Sequence, residues 1–379
     1  MLSLSLLTAS FTYLLSLFAA IVGIGFLIFI HELGHFLFCK LFGIDTPSFS
    51  IGFGPVLWSK KMGDTEFVLS AIPVGGYLEI AGSYEVGQGE QLHAQRTDDR
   101  TLASKSLWKQ LFVILGGIIS NALFAYLAFT ILLWQGMPPT NLFFPQNATS
   151  TIKTLGAGSV AEQAGINPGD ILVSINNRDV RTDIPAYVST LSSLTNPEVA
   201  LVLERQATKL EKTIILPTMA DGTLQKTLGI QFVLQELPAL PLGESLIKSW
   251  HANVYITQMT LSSLKHMIVD HSTDQVGGPL RIVADMSHGA QKGWKFFLLF
   301  LGFVSLSLAV FNILPFPVLD GGQAVILILE SLIGRKLPET TKTYLYYACW
   351  VLLLGLIAYL SVKDIMQFVR YIAGLLFPA

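Results

Sequence analysis

FTYLLSLFAAIVGIGFLIFI (Phe11–Ile30) runs without a charge into HELGH (His31–His35). The first stretch has about the 20 residues that a helix needs to cross a bilayer. In the second, His31 and His35 stand at i and i+4, on one helix face, where two imidazoles can turn toward one zinc ion. Glu32 lies on the adjoining face, where a carboxylate can accept a proton from a water that the metal polarises. Two histidines and a glutamate at the edge of a membrane span are costly to bury without a partner, and a metal is one. The bland alternative is a chance HExxH whose histidines are hydrogen-bonded in a core. The rest of the chain decides between them.

The 379 residues are 51% hydrophobic and 13% charged, and the charged share is about half that of a soluble domain. A net charge of −2 argues against nucleic acid as a partner. Cys39 and Cys349 lie in or beside apolar runs, with no CxxC spacing, and read as buried free thiols. The apolar N-terminus lacks a basic n-region, and cleavage after it would remove HELGH, so it reads as a retained first span.

Four apolar regions are long enough to span: Phe11–Phe38, Leu107–Trp134, one beginning at Trp294 and broken at Pro315 and Pro317, and Tyr344–Val362. No Lys or Arg precedes Lys40. Lys60, Lys61, Arg96, Arg100 and Lys105 fill the first connection, and Arg335, Lys336 and Lys342 the third. The positive-inside rule puts both connections in the cytoplasm, with the termini and residues 135–293 outside. HELGH then sits toward the cytoplasmic end of its span.

Between the first two spans, Ile51–Trp58 and Thr65–Ser70 read as two strands joined at Lys60–Asp64. This hairpin is apolar enough to dip into the membrane, where an open strand edge can hold a substrate strand. The pair Gly75-Gly76 in PVGGY lets backbone come close to a neighbour. Residues 83–105 read as polar loop, with His93 simply solvated. Residues 150–235 read as a small α/β domain, with strands at 151–155, 171–175, 199–203 and 213–216 and a short helix at 159–164. Its Ala161–Asp170 turn resembles that of PDZ domains, which bind peptides by strand addition. Leu246–Val269 has the spacing of an amphipathic helix lying near the outer membrane face. His251, His266, His271 and His288 show no ligand spacing and receive no role.

Two histidines leave zinc short of the usual three protein ligands. Asp320 is the best third candidate. It lies in NILPFPVLDGG (Asn312–Gly322), where prolines break an apolar helix and an aspartate needs a cation or a wet cavity. HExxH in a first span, GFGP (Gly52–Pro55) and PVGGY (Pro73–Tyr77) in the loop, a PDZ-like domain and NxxPxPxLDG in a later span together resemble the site-2 protease family. These are intramembrane zinc metalloproteases, and the likeness is greatest to the bacterial branch that cleaves a membrane-bound anti-sigma factor. It covers nearly the whole chain.

The resemblance implies that His31, His35 and Asp320 bind zinc, that Glu32 is the general base, and that Asn312 holds or polarises substrate. It gives Gly52, Phe53, Gly54, Gly75 and Gly76 a role in presenting the substrate strand, and places Asn121 at a family position. Two positions depart from the pattern: Ile118 replaces an expected proline, and Gln323 an expected histidine. One PDZ-like domain stands where the best-known bacterial relatives have two.

The expected fold is therefore an α-helical polytopic membrane protein of about four transmembrane helices. It carries a membrane-associated β-hairpin and one inserted PDZ-like α/β domain. Residues 1–135 form the first membrane half, 150–235 the domain, 236–293 a helical linker and 294–379 the second half. The expected activity is hydrolysis of peptide bonds within or near the transmembrane segments of single-span proteins, in the inner membrane, after a first cut outside. A scaffold with a vestigial site would lack a ligand or the base, and all four residues are present. A zinc transporter needs polar groups lining its path, and spans two and four have no acid or histidine in their interiors.

Overall fold

The computed structural model describes residues 2–83, 92–218, 224–269 and 277–376. His271 lies outside them. Helix α1 (Leu2–Leu41) carries HELGH near its C-terminal end. Strands β1 (Ser48–Met62) and β2 (Thr65–Leu78) follow, turning at Gly63 with φ +63°. The Trp58–Met62 arm pairs with Thr65–Leu69 as a hairpin, but Ser48–Ile51 pairs on one edge with Glu66–Leu69 and on the other with Gly76–Leu78. A simple two-stranded hairpin is thus replaced by a folded sheet that includes PVGGY. Gly52 and Gly54, at φ +82° and +88°, supply the bend that L side chains resist.

Phe49, Leu78, Ile80, Ile44, Leu102, Val113 and Cys39 are buried together beneath this sheet, with Phe36 and Phe67 against them. Lys40 Nζ donates to Thr65 Oγ1 at 2.9 Å, tying the end of α1 to the sheet. His93 is not simply solvated. Its Nδ1 lies 3.0 Å from Glu79 Oε1, which also accepts its backbone N–H, because Glu79 is held nearly buried at the end of β2.

The second apolar region is two helices, α2 (Leu107–Ile114) and α3 (Gly116–Gln135), where one continuous helix was expected. The break falls at Leu115, before a glycine pair that is a poor helix former. It is set by packing: Gly34 and Gly116 face each other so closely that a Cβ on Gly116 would lie 2.7 Å from the Gly34 carbonyl oxygen.

Residues Leu133–Pro241 form a compact unit of their own. Its elements are β3 (Ala148–Leu155), α4 (Val160–Gln163), β4 (Ile171–Ile175), β5 (Arg178–Asp179), α5 (Ile184–Ser193), β6 (Glu198–Arg205), β7 (Thr208–Ile215) and β8 (Ile230–Leu234). The sheet order is β7-β6-β4-β3-β8, with β5 paired to β4. Ser159 caps α4, its Oγ accepting the Glu162 N–H. Asn176 and Asn177 turn β4 into β5 with positive φ. Ile152, Leu172, Ile175, Leu191, Val199, Leu203 and Phe232 make the core. Helix α5 and strand β8 are additions to the sequence-based outline, although Asp183 capping α5 and Pro185 in its first turn form a start signal.

Asp170 closes the turn before β4. Arg205 donates to both its oxygens, at 2.7 and 2.8 Å, and the Asn167 N–H adds a third bond. The Arg205 guanidinium holds the Asp170 carboxyl below the usual carboxylate range. A carboxyl depressed on folding contributes stability above its unfolded pKa and loses it as pH falls through the folded value. We therefore expect Asp170→Asn to destabilise this unit by about 1.5–3 kcal/mol at neutral pH. The difference from wild type should shrink on acidification below pH ~4, read by thermal denaturation across pH.

The chain returns with α6 (Leu242–Val269), α7 (Pro279–Lys292), α8 (Trp294–Asn312), α9 (Asp320–Ile333) and α10 (Glu339–Leu376). Helix α6 contains the Leu246–Val269 stretch read as an amphipathic helix. Thr130 and Ser249 hydroxyls meet at 2.7 Å, and Thr260 and Leu264 line a cleft shared with Val304 and Leu308, so α6 packs along α3 and α8. Helix α7 lies within the stretch read as a helical linker, though its many polar residues gave it no apolar run to mark its bounds.

Among the described residues, four helices are long and apolar enough to cross a membrane: Ser10–Leu41, Gly116–Gln135, Trp294–Asn312 and Glu339–Arg370. Phe11, Leu14, Phe18, Val351, Leu352 and Leu354 point outward from them. Patches of that kind are untenable in water and suited to lipid. The fold is a helical membrane architecture with, among the described residues, two small sheets.

Candidate metal centre

The site grows from one face of α1. The His31 and His35 rings stand edge to face, centroids 4.9 Å apart, with their Nε2 atoms 3.3 Å apart. Asp320 arrives from the far end of the chain as the first residue of α9. Pro315 and Pro317 cannot continue α8, so residues 313–319 leave the helix and re-enter it at Asp320. Gly321 and Gly322 let this re-entry fold tightly, since a Cβ on either would overlap the Ile313 or Phe316 carbonyl.

Asp320 Oδ2 lies 3.2 Å from His31 Nε2 and 3.6 Å from His35 Nε2. Three ligands each about 2.0–2.1 Å from a tetrahedral zinc stand about 3.3 Å from one another. The three separations match that triangle. Asp320 Oδ2 is also buried without a hydrogen-bond partner, an orphaned anionic oxygen that a cation would satisfy. Among the described residues, His31, His35 and Asp320 are the one such group of potential metal ligands. Donor set and geometry both fit zinc.

Both imidazoles are oriented from behind. His35 Nδ1 bonds the Val113 carbonyl at 2.7 Å, an oxygen released from helical pairing by the break between α2 and α3. His31 Nδ1 lies 3.3 Å from the Asn121 amide. The contact is made by Asn121 Nδ2 and falls on the ring nitrogen turned away from the cluster, so the amide fixes the ring from the side opposite Nε2. Ser305 on α8 donates to the Asn121 carbonyl at 2.9 Å, and Ser120 to the Ile30 carbonyl at 2.7 Å. Gly117 forms the wall: a Cβ there would lie 2.4 Å from His31 Cε1 and 2.5 Å from His35 Nε2.

Asn121, grouped with the substrate-binding residues from sequence, is fully buried and lies against His31. Such outer partners of metal-bound histidines typically change metal affinity 10–100-fold when removed. We expect Asn121→Ala to weaken zinc binding by about that factor, read by competition with a chelator.

Glu32 lies beside β2, where a Cβ on Gly76 would be 3.8 Å from Glu32 Cγ. Phe53 covers Gly75 and remains 45% exposed, so Gly52, Phe53, Gly54, Gly75 and Gly76 share one bend of the sheet near Glu32. Asn312 ends α8, and no hydrogen bond joins it to the three clustered side chains among the described residues. Ile118 is packed within α3 and Gln323 occupies the first turn of α9. Val113 and Gly117 were not singled out from sequence. The Gly116-Gly117 pair inside an apolar run was the available signal for the second.

Residues 19–356 match peptidase family M50. A Clostridium perfringens protein is 29% identical over 92% of this chain and 97% of its own length. A Nostoc protein is 30% identical over 93% and 96%, and one from Helicobacter pylori 28% over 89% and 97%. Each carries the name "putative zinc metalloprotease". With HExxH and the buried aspartate gathered at one point, and a family match spanning most of the chain, this protein belongs to peptidase family M50, the site-2 protease family of zinc metalloproteases.

Proposed function

We propose that the protein hydrolyses a peptide bond within or near the transmembrane segment of single-span membrane proteins, following a first cut outside the membrane. Substrates of the anti-sigma-factor or signal-peptide-remnant kind fit this reading. The observation that carries it is the joining of His31, His35 and Asp320 from helices α1 and α9 of the apolar unit.

In this reading His31, His35 and Asp320 hold the zinc. When bound, it supplies Lewis acidity that brings a water toward neutral pKa and polarises a carbonyl. Glu32 accepts the proton of the attacking water on its carboxylate and passes it to the leaving amine. A helical substrate hides its carbonyls in internal hydrogen bonds, so it must unwind locally. The bent sheet around Gly52–Gly54 and Gly75-Gly76 takes up the exposed backbone, and Asn312 steadies the carbonyl. Residues 150–235 act as a PDZ-like module that screens substrates, a role supported by the Ala161–Asp170 turn and by the edge position of β8.

The test is cleavage of a tagged single-span substrate reconstituted with the protein in lipid vesicles. Product ends mapping inside or beside the apolar segment support the proposal. Cuts confined to soluble flanks, or none, remove it.

In the same reading the metal centre faces the cytoplasmic side of the inner membrane and residues 150–235 lie outside, an orientation supported by the Lys and Arg of the first and third connections. We expect Ser189→Cys to react with an impermeant thiol reagent in intact cells and Ser83→Cys to stay unlabelled. Reversed labelling would overturn this orientation.

A further inference from the structure

Asp364 lies on α10 just past the apolar run and is 9% exposed. Its carboxylate is spent on another helix: Oδ1 accepts the Gly278 N–H at 3.2 Å and Oδ2 the Arg281 N–H at 3.1 Å. These are donors at the start of α7, which have no partner within that helix. Pro279, at the first helical position, has no N–H to satisfy. The contact is tight, for a Cβ on Gly278 would lie 2.5 Å from Asp364 Oδ2 and 2.9 Å from the Leu360 backbone.

The rest of α7 is wedged between α1 and α8. Ser287 Oγ meets Ser16 Oγ at 2.9 Å, and Gln291 donates to the same Ser16 oxygen at 3.0 Å. Met286 is fully buried and, with Phe297 and Leu301, fills the space over Gly23, leaving 2.9–3.1 Å to where a Cβ would be. Gly289 packs against Phe300 of α8 in the same way. Gly23 precedes His31 by about two helical turns, and α8 leads directly to the loop that ends on Asp320. The spacing of α1 and α8 is therefore set where α7 sits.

We infer that Asp364 is a positioning residue for the metal centre: by capping α7 from α10 it keeps α7 seated between α1 and α8, and so sets the separation of the His31–His35 pair from Asp320. This rests on the reading of those three residues as the zinc ligands.

The experiment uses the full-length protein with cobalt(II) in place of zinc, whose visible spectrum reports the coordination geometry. Asp364→Ala, still folded by its thermal transition, should show altered cobalt bands and metal affinity weakened by about tenfold or more. Its kcat on the vesicle substrate should fall with KM little changed. Asp364→Asn keeps one accepting oxygen and should be intermediate. Gly278→Ala leaves the carboxylate in place but crowds the same contact, so it should reproduce the defect. The double variant should be no worse than the more severe single one, because both break one link.

A folded Asp364→Ala with wild-type cobalt spectrum and affinity, or additive effects in the double variant, would overturn the inference. If Asp364→Ala fails to fold, the spectrum and affinity of Gly278→Ala decide on the same terms. Wild-type protein that takes up no cobalt would overturn the ligand reading, and this inference with it. Glu32→Gln with an unaltered cobalt spectrum separates loss of the base from loss of the centre.

Discussion

Glu32→Gln is expected to lower cleavage of a membrane-embedded substrate by about 100-fold or more while zinc content stays at the wild-type level. The size follows from what a positioned general base contributes, about 10²–10⁴ in rate. The retention of metal follows from geometry. His31, His35 and Asp320 form the close triangle, whereas Glu32 is beside β2 and outside that group. Glutamine matches glutamate in shape, so the packing against Gly76 survives and only the proton acceptor is lost. Zinc analysis and cleavage rate must be measured on the same preparation. Equal cleavage by wild type and Glu32→Gln would end the proteolytic reading of this site.

Gly117→Ala is expected to have an effect as large by a different route. The added methyl would occupy space 2.4 Å from His31 Cε1 and 2.5 Å from His35 Nε2, closer than non-bonded atoms come. Neither ring can retreat freely. His35 is tied to the Val113 carbonyl and His31 to the Asn121 amide. Overpacking of this kind costs about 1–3 kcal/mol, and here the strain falls on the two candidate ligands. Zinc affinity should drop by about tenfold or more, and cleavage with it. Gly355→Ala is the control, since a Cβ there meets nothing within 4 Å and should leave both readouts unchanged. Wild-type zinc affinity in Gly117→Ala would show that the wall of the site is softer than its close contacts imply.

The contrast between these two variants separates what could be read along the chain from what could not. HELGH announces itself because helical periodicity alone puts i and i+4 on one face. Asp320 could be paired with it because an aspartate beside two prolines in an apolar run is costly unless a cation or water meets it. The number of long apolar helices and the existence of a β-rich loop follow from composition and turn residues in the same local way. These features depend on neighbours within a few residues, and sequence records such neighbours directly.

Other features depend on residues far apart in the chain. Nothing local in GGII (Gly116–Ile119) says that Gly117 lies against His31 and His35, because that contact exists only once α1 and α3 cross at Gly34 and Gly116. The break that frees the Val113 carbonyl for His35 has the same origin. Asn121 was placed near the site by resemblance, but its position behind His31 required the packed helices. The sheet that folds Ser48–Ile51 between Glu66–Leu69 and Gly76–Leu78 needs three segments at once, whereas strand periodicity describes them one at a time. The candidate metal-binding residues were thus determined by sequence, since their chemistry is carried by residue type and local spacing. The groups that aim, wall and brace them were decided by tertiary structure, because only helix crossing brings them within bonding distance.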